Sequence, residues 1–242
     1  MKKRHLISPA ILLLFIATII FYQQGRAIWF PIASKFMDRK TVSDVIETFG
    51  EQSRQALKAD FARNNVAYPP KHLALIAYKD SDLLEVWAGE QSDKLTKIKE
   101  YPILAASGIL GPKLREGDRQ VPEGLYKIIG FNPNSAYHVS MKLNYPNDFD
   151  MLHAKAEGRT EPGTNIFIHG KAASIGCLAM GDPAIEQLFT LVHDTGRGNT
   201  QVLISPSDPR IKPLTVPSRA PAWTKGLYED ITAIHQRITV ND

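Results

Sequence analysis

The chain opens on a run with no polar face. From Leu6 to Tyr22 it is apolar apart from Ser8, Pro9 and Thr18, and Lys2, Lys3, Arg4 and His5 stand ahead of it. Basic residues before an apolar run are the signature of export, and the run is about as long as the shortest spanning helix. No small-x-small site closes it; Gln23, Gln24, Gly25 and Arg26 follow. The expectation is an uncleaved signal anchor over residues 1–25, with a cleaved signal peptide as the alternative. Residues 6–22 would lie in the membrane and the chain beyond Tyr22 outside the cytoplasm.

Residues 38–64 read as helix. Val42, Val45, Ile46 and Phe49 follow the i, i+3, i+4, i+7 spacing, and Ala56, Leu57 and Phe61 continue it. Asn64, Asn65, Pro69 and Pro70 end it, which suggests a helical spacer over 26–70. From His72 the period moves towards two. His72–Lys79, Leu83–Gly89, Leu95–Ala106, Gly124–Asn132, Tyr137–Asn144 and Thr164–His169 are short apolar, β-branched or aromatic runs separated by turn signals. A helix is expected from Pro183 to Val192 with Asp182 as N-cap, then a strand at Thr200–Ser205. The tail, 207–242, is proline-rich with a short helix near Lys225–Arg237. The pattern predicts an α+β, β-rich chain with a sandwich or barrel domain over 71–206 and flanking helices.

Composition narrows the function classes. A hydrophobic content of 43% and a charged content of 22% exclude a disordered chain. One cysteine excludes an intrachain disulfide framework and a multi-cysteine zinc site. The net charge is +4, of which Lys2, Lys3 and Arg4 supply three; the remainder of +1 (4 − 3) offers no basic surface for nucleic acid. In an oxidising compartment cysteines are normally paired, so a lone Cys177 is either a buried inert thiol or a nucleophile.

Chemistry concentrates in residues 166–180, Ile-Phe-Ile-His-Gly-Lys-Ala-Ala-Ser-Ile-Gly-Cys-Leu-Ala-Met. An apolar strand delivers His169 to its end, Gly170 breaks the pattern, and Gly176 precedes Cys177. An imidazole beside a thiol can take its proton. Glycine beside the nucleophile lets backbone approach a carbonyl closely, and free N–H groups around Gly176 and Cys177 would stabilise an oxyanion. Ser174 reads as a turn former or a hydrogen-bond donor. The alternatives are a core histidine with a buried cysteine, or a metal site completed by His138 or His153.

His169-Gly170 followed by Ser174-Ile175-Gly176-Cys177 resembles the L,D-transpeptidase catalytic domain of the YkuD type, within its YafK-like subgroup. Glu116-Gly117-Asp118 leading into Val121-Pro122-Glu123-Gly124-Leu125-Tyr126, then Asn132-Pro133-Asn134-Ser135 with Tyr137-His138-Val139-Ser140, and Asn144-Tyr145-Pro146-Asn147 carry the same resemblance. It spans about 72–205 and implies a β-rich catalytic domain working through a cysteine acyl-enzyme without a cofactor or metal. Cys177 would be the nucleophile, His169 the base, and the Gly170 carbonyl the group that orients the imidazole. Gly176 and Cys177 N–H would form the oxyanion hole. The implied substrate is a peptidoglycan stem peptide attacked at its third, dibasic residue. The implied location is the periplasmic face of the inner membrane, or the periplasm if the signal is cleaved.

Two positions depart from the family pattern. Ile175 stands where a second histidine is frequent, and Ala179 where an arginine is frequent. The second removes a bidentate carboxylate clamp, so substrate contact falls to Tyr137, His138, Tyr145, Ser174 or Lys171, each of which also has a plain packing, turn or surface role. Three functions stay open. One is transpeptidation; another is hydrolysis at the same site, trimming stems or releasing a wall-linked lipoprotein; the third is a non-catalytic wall-binding module. The acidic pairs Asp80/Asp82 and Glu116/Asp118 read as turn formers.

Overall fold

The computed structural model describes residues 9–239. Lys2, Lys3, Arg4, His5 and the start of the apolar run lie outside the described residues. The rest of the run forms α1, Pro9–Gln24, followed by α2, Arg26–Ala33. Among the described residues no helix is long and apolar enough to cross a membrane. The chain divides after Arg39 into one unit of residues 1–39 and a second of residues 40–242.

The second unit begins with α3, Val42–Arg63. A capping box starts it: Asp44 N–H donates to Thr41 Oγ1 at 3.2 Å, and Thr41 N–H donates to Asp44 Oδ2 at 2.6 Å. Eight strands follow: β1 His72–Tyr78, β2 Leu83–Gln91, β3 Lys94–Pro102, β4 Gly124–Ser135, β5 His138–Leu143, β6 Phe167–His169, β7 Leu178–Ala179 and β8 Thr200–Ser205. Three helices interleave: α4 Asp148–Ala156, α5 Asp182–Thr195 and α6 Thr224–Thr239. The sequence spacing argues for a sandwich or barrel; the strands form one eight-stranded mixed sheet, ordered β3-β2-β1-β8-β4-β5-β6-β7, whose two ends are joined by a bridge between Ala105, three residues past β3, and Ala179 of β7. The long β4 links the two halves. Its first residues, Gly124–Lys127, pair with β8, and its later ones, from Ile128, pair with β5.

Both faces of the sheet are covered, which is why β1 is buried along almost its whole length. Leu73, Leu75 and Ala77 face a core completed by Phe49, Leu57 and Phe61 of α3 and by Leu188, Phe189 and Val192 of α5. Ala74, Ile76 and Tyr78 face a second core with Leu227, Tyr228 and Ile231 of α6. The helix expected as a spacer and the helix expected in a tail thus supply the two layers that enclose the sheet.

Two local readings need correction. Asp182 is not the N-cap of α5; Gly181 is, and Asp182 is the first helical residue. Its Oδ1 accepts Lys171 N–H at 2.9 Å, so the carboxylate is engaged outside the helix. The segment after β5 leads into α4, which the strand pattern missed. The Asn147/Asp150 capping box that starts α4 was visible in the sequence.

Candidate active site

Cross-strand register builds the site. Asn132 on β4 pairs with Ser140 on β5, and Ser140 pairs with His169 on β6. One row along, Gly130 pairs with Lys142 and Lys142 with Phe167. β7 runs parallel to β6 with Ile168 beside Leu178, so Cys177 continues the Phe167 row. Residues two apart on a strand share a face; His169 and Cys177 therefore open onto the same side of the sheet. They line one cleft of about 230 Å³ with Tyr137, Ser140, Asn165 and Ile175.

His169 is buried, and its Nδ1 lies 2.6 Å from the Gly170 carbonyl. A carbonyl only accepts, so Nδ1 carries the proton and the Nε2 lone pair is left available. The stretch after His169 is clamped to α5: Lys171 N–H and its ammonium both bind the Asp182 carboxylate. A Cβ on Gly170 would lie 2.7 Å from Asp182 Oδ1 and 2.8 Å from the Tyr137 carbonyl, so this close approach requires glycine. Tyr137 lies over the imidazole, ring centroids 4.7 Å apart.

Cys177 is half-buried, and its thiol donates to the Asn165 carbonyl at 3.8 Å rather than to His169. Burial pushes the thiol up, against the Phe167 backbone and the Lys113 ammonium, which pull it down. Burial pushes His169 down, against the Gly170 carbonyl. Both shifts favour the neutral forms, thiol and imidazole, over thiolate and imidazolium.

The sequence led us to expect free N–H groups at Gly176 and Cys177. Neither is free. Gly176 N–H donates to Ser107 Oγ at 2.6 Å, and Cys177 N–H donates to Ser174 Oγ at 2.9 Å. Ser174 Oγ in turn donates to the Cys177 carbonyl at 2.6 Å, closing the turn that carries the thiol. Ser107 Oγ in turn donates a hydrogen bond to the Arg119 carbonyl at 2.7 Å. Gly176 has φ +101, and its Cα faces the Gln120 backbone, which a Cβ would approach to 3.3 Å. An oxyanion would have to displace or share these two hydroxyls.

The remaining candidates divide. Tyr137 lines the cleft. His138 does not; its Nε2 lies 2.7 Å from Glu186 on α5. Tyr145 is buried, its hydroxyl donating to the Pro162 carbonyl at 2.7 Å, and it braces the wall rather than lining the cleft. Lys171, read as a solvated loop charge, is ion-paired with Asp182. Asp118 is the turn former it was read to be. Burial opposes its ionisation, but Lys113 and the N–H groups of Arg115, Leu114 and Gln120 hold its carboxyl below the usual range. Among the described residues no three potential metal ligands cluster. The readings from sequence missed Ser107, Ser140, Lys142 and Asn165. For the β5 pair a signal existed: Ser140 and Lys142 alternate with the buried Val139, Met141 and Leu143.

The same stretch of chain matches known proteins. The family YkuD, described as L,D-transpeptidase catalytic domain, matches residues 73–204. A relative named "Putative L,D-transpeptidase YafK" from Escherichia coli (strain K12) is 31% identical over 134 residues, 53% of this chain and 52% of its own. The chain therefore spans about half the length of the curated relatives it matches. Among solved structures, the helical cell shape determining protein Pgp2 of Campylobacter jejuni is 23% identical, with a TM-score of 0.47 over 57% of this chain and 48% of that one. Bd1075 of Bdellovibrio bacteriovorus is 21% identical, with a TM-score of 0.42 over 70% and 55%. The family match begins within β1, ends within β8 and takes in every residue of the cleft; by that match, over more than half its length, the chain belongs to the YkuD family of L,D-transpeptidase catalytic domains.

Proposed function

We propose that the chain modifies peptidoglycan by acyl transfer through Cys177. The observation that carries this reading is the pairing of a fixed imidazole tautomer with a thiol on one sheet face and in one cleft. As the scissile carbonyl of a stem peptide approaches, the Cys177 S–H proton moves to His169 Nε2 and sulfur bonds the carbonyl carbon. The Gly170 carbonyl, on Nδ1–H, favours the imidazolium that forms. The developing oxyanion is received at the Gly176–Cys177 backbone as Ser107 and Ser174 yield their hydrogen bonds. The C–N bond then breaks, and His169 returns the proton to the departing amine, leaving a thioester. A second amine, or water, adds to the thioester and gives its proton to His169; the C–S bond breaks and the thiol is restored.

Amine and water acceptors share this first half, so transpeptidation and hydrolysis differ only in the second. Residues 1–25 would export the chain and hold it at the outer face of the inner membrane, where the wall is in reach. The test incubates the full chain and its Cys177→Ala counterpart with defined muropeptides, with and without lipoprotein-linked stems, and weighs the products by mass spectrometry. Cross-linked or amino-acid-exchanged products that vanish in the variant are the expected result. Shortened stems or released lipoprotein peptide alone would assign hydrolysis. No Cys177-dependent product from any substrate would overturn the enzyme reading and leave a wall-binding module.

A further inference from the structure

The cleft has no charged side chain in its lining, yet one cation stands at its edge. Lys142 lies on β5, two residues after Ser140 and on the same sheet face, paired with Phe167 on one side and Gly130 on the other. Its Nζ donates to Asn165 Oδ1 at 3.0 Å and lies 5.9 Å from the centre of the Phe167 ring. Asn165 and Phe167 both line the cleft. The other lysines around the site are already neutralised, Lys171 by Asp182 and Lys113 by Asp118. Among the described residues no carboxylate pairs with Lys142.

The neighbourhood is shaped to admit a ligand at that ammonium. Gly130 opposite Lys142 has no side chain to cover it. Ser140, in the adjacent row, is 2% exposed overall and lines the cleft, so its hydroxyl is open to whatever occupies it. Strands lie about 4.8 Å apart, so the Cα atoms of Lys142 and Cys177, two strands apart in one row, are separated by about 10 Å. An extended peptide advances about 3.5 Å per residue. An anion one or two residues from the attacked carbonyl would therefore meet the ammonium.

We propose that Lys142 is a specificity-determining residue that binds a free carboxylate of the peptide held in the Cys177 cleft, with Ser140 as a neutral donor beside it. The proposal rests on the acyl-transfer reading for the identity of the peptide. The carboxylate has two sources, the C-terminal carboxylate of the peptide and a side-chain carboxylate of the residue whose carbonyl is attacked. The alternative cation is Arg119, exposed on the loop behind Gly176.

The experiment separates binding from chemistry. The full chain carrying Cys177→Ala is titrated by calorimetry with a stem tetrapeptide. Two further peptides are each amidated at one of the two carboxylates. The same titrations are run after adding Lys142→Gln, Lys142→Arg or Arg119→Gln. The expected result is a loss of at least about tenfold in affinity for the unmodified peptide in Lys142→Gln. One amidated peptide should bind equally well with and without the Lys142→Gln substitution, which names the carboxylate, and Lys142→Arg should retain most of the affinity. Equal affinity for all three peptides, no effect of Lys142→Gln, a loss that follows Arg119→Gln instead, or no peptide binding at all would overturn the proposal. Turnover of muropeptides by the chain with Cys177 intact is measured alongside. A Lys142 effect on binding without turnover would fault the acyl-transfer reading alone, and turnover unaffected by Lys142 would fault this one alone.

Discussion

Lys79→Met tests how the wall behind the nucleophile is held. Lys79 Nζ donates to the Gly111 and Val121 carbonyls, both at 3.0 Å, and to Glu123 Oε1 at 2.9 Å. Its side chain is 6% exposed and that of Glu123 is 0%. Glu123 also accepts Gly111 N–H at 2.7 Å and the Tyr228 hydroxyl at 2.8 Å, so one ion pair ties β1, the loop between β3 and β4, and α6 together. Methionine fills a similar volume but leaves the Glu123 carboxylate buried without its cation. Removing one partner of a buried pair costs about 3–5 kcal/mol, a large part of the roughly 5–15 kcal/mol typical of a domain. Replacing both partners removes the charge altogether. Lys79→Met with Glu123→Gln keeps an amide oxygen to accept Gly111 N–H and turns its NH2 towards the Tyr228 hydroxyl, which can accept, and is expected to recover at least about half of the loss. Urea unfolding followed by tryptophan fluorescence measures Lys79→Met, Glu123→Gln and the double variant. A single-variant cost below about 1 kcal/mol, or a double variant as unstable as the sum of the two singles, would refute the argument.

Other outcomes follow from the site. Ser174→Ala removes both hydrogen bonds that close the Cys177 turn and is expected to slow thiol acylation about 10- to 100-fold with the melting temperature little changed; stopped-flow acylation by a carbapenem measures it. The carbapenem should open and remain on the chain as an adduct at Cys177, and intact mass without that adduct would count against a nucleophilic thiol. Because burial raises the thiol and lowers the imidazole, alkylation of Cys177 by iodoacetamide should climb through the alkaline range with no plateau near neutral pH; a plateau there would demonstrate a resting ion pair instead. Burial raises the Asp150 carboxyl to about 6 from an ordinary 3.8. Between those values the folded chain holds a proton that the unfolded chain has released, so stability falls as pH rises through that window. Asp150→Asn should flatten that slope in pH-dependent melts.

Much of the sheet was legible because its strands alternate or run apolar between turn residues: β1, β2 and β8 lie within two residues of the expected limits. β7 was not, since two residues carry no period. α4 was not expected from the strand pattern, although its capping box was present in the residues. The layer roles of α3 and α6 were not legible either, because an amphipathic helix declares that it has a partner and not which one. At the site, His169, Gly170 and Cys177 were found through local sequence, where glycine, histidine and a lone cysteine stand out. Ser107, Lys142 and Asn165 come from distant segments brought in by register and loop packing, which no local spacing encodes. The availability of the Gly176 amide was misread for the same reason, because the hydroxyl that engages it comes from residue 107, far along the chain; the Cys177 amide is engaged locally, by Ser174.

The clamp of Asp182 on Lys171 has a consequence for how this cleft would respond to change elsewhere. The imidazole takes its aim from the Gly170 carbonyl, and that peptide is docked against the first turn of α5. Two turns along the same face, α5 is seated on α3 through Phe189 and Phe49, whose rings meet edge to face at 6.1 Å. Aim at the cleft is thereby referenced to the helical layer rather than to the strand that carries the histidine. Substitutions between α3 and α5 that shift α5 by a few tenths of an ångström would retune the base without touching the cleft. Variation in rate among related chains is then to be sought in helix packing as much as in the residues around the thiol.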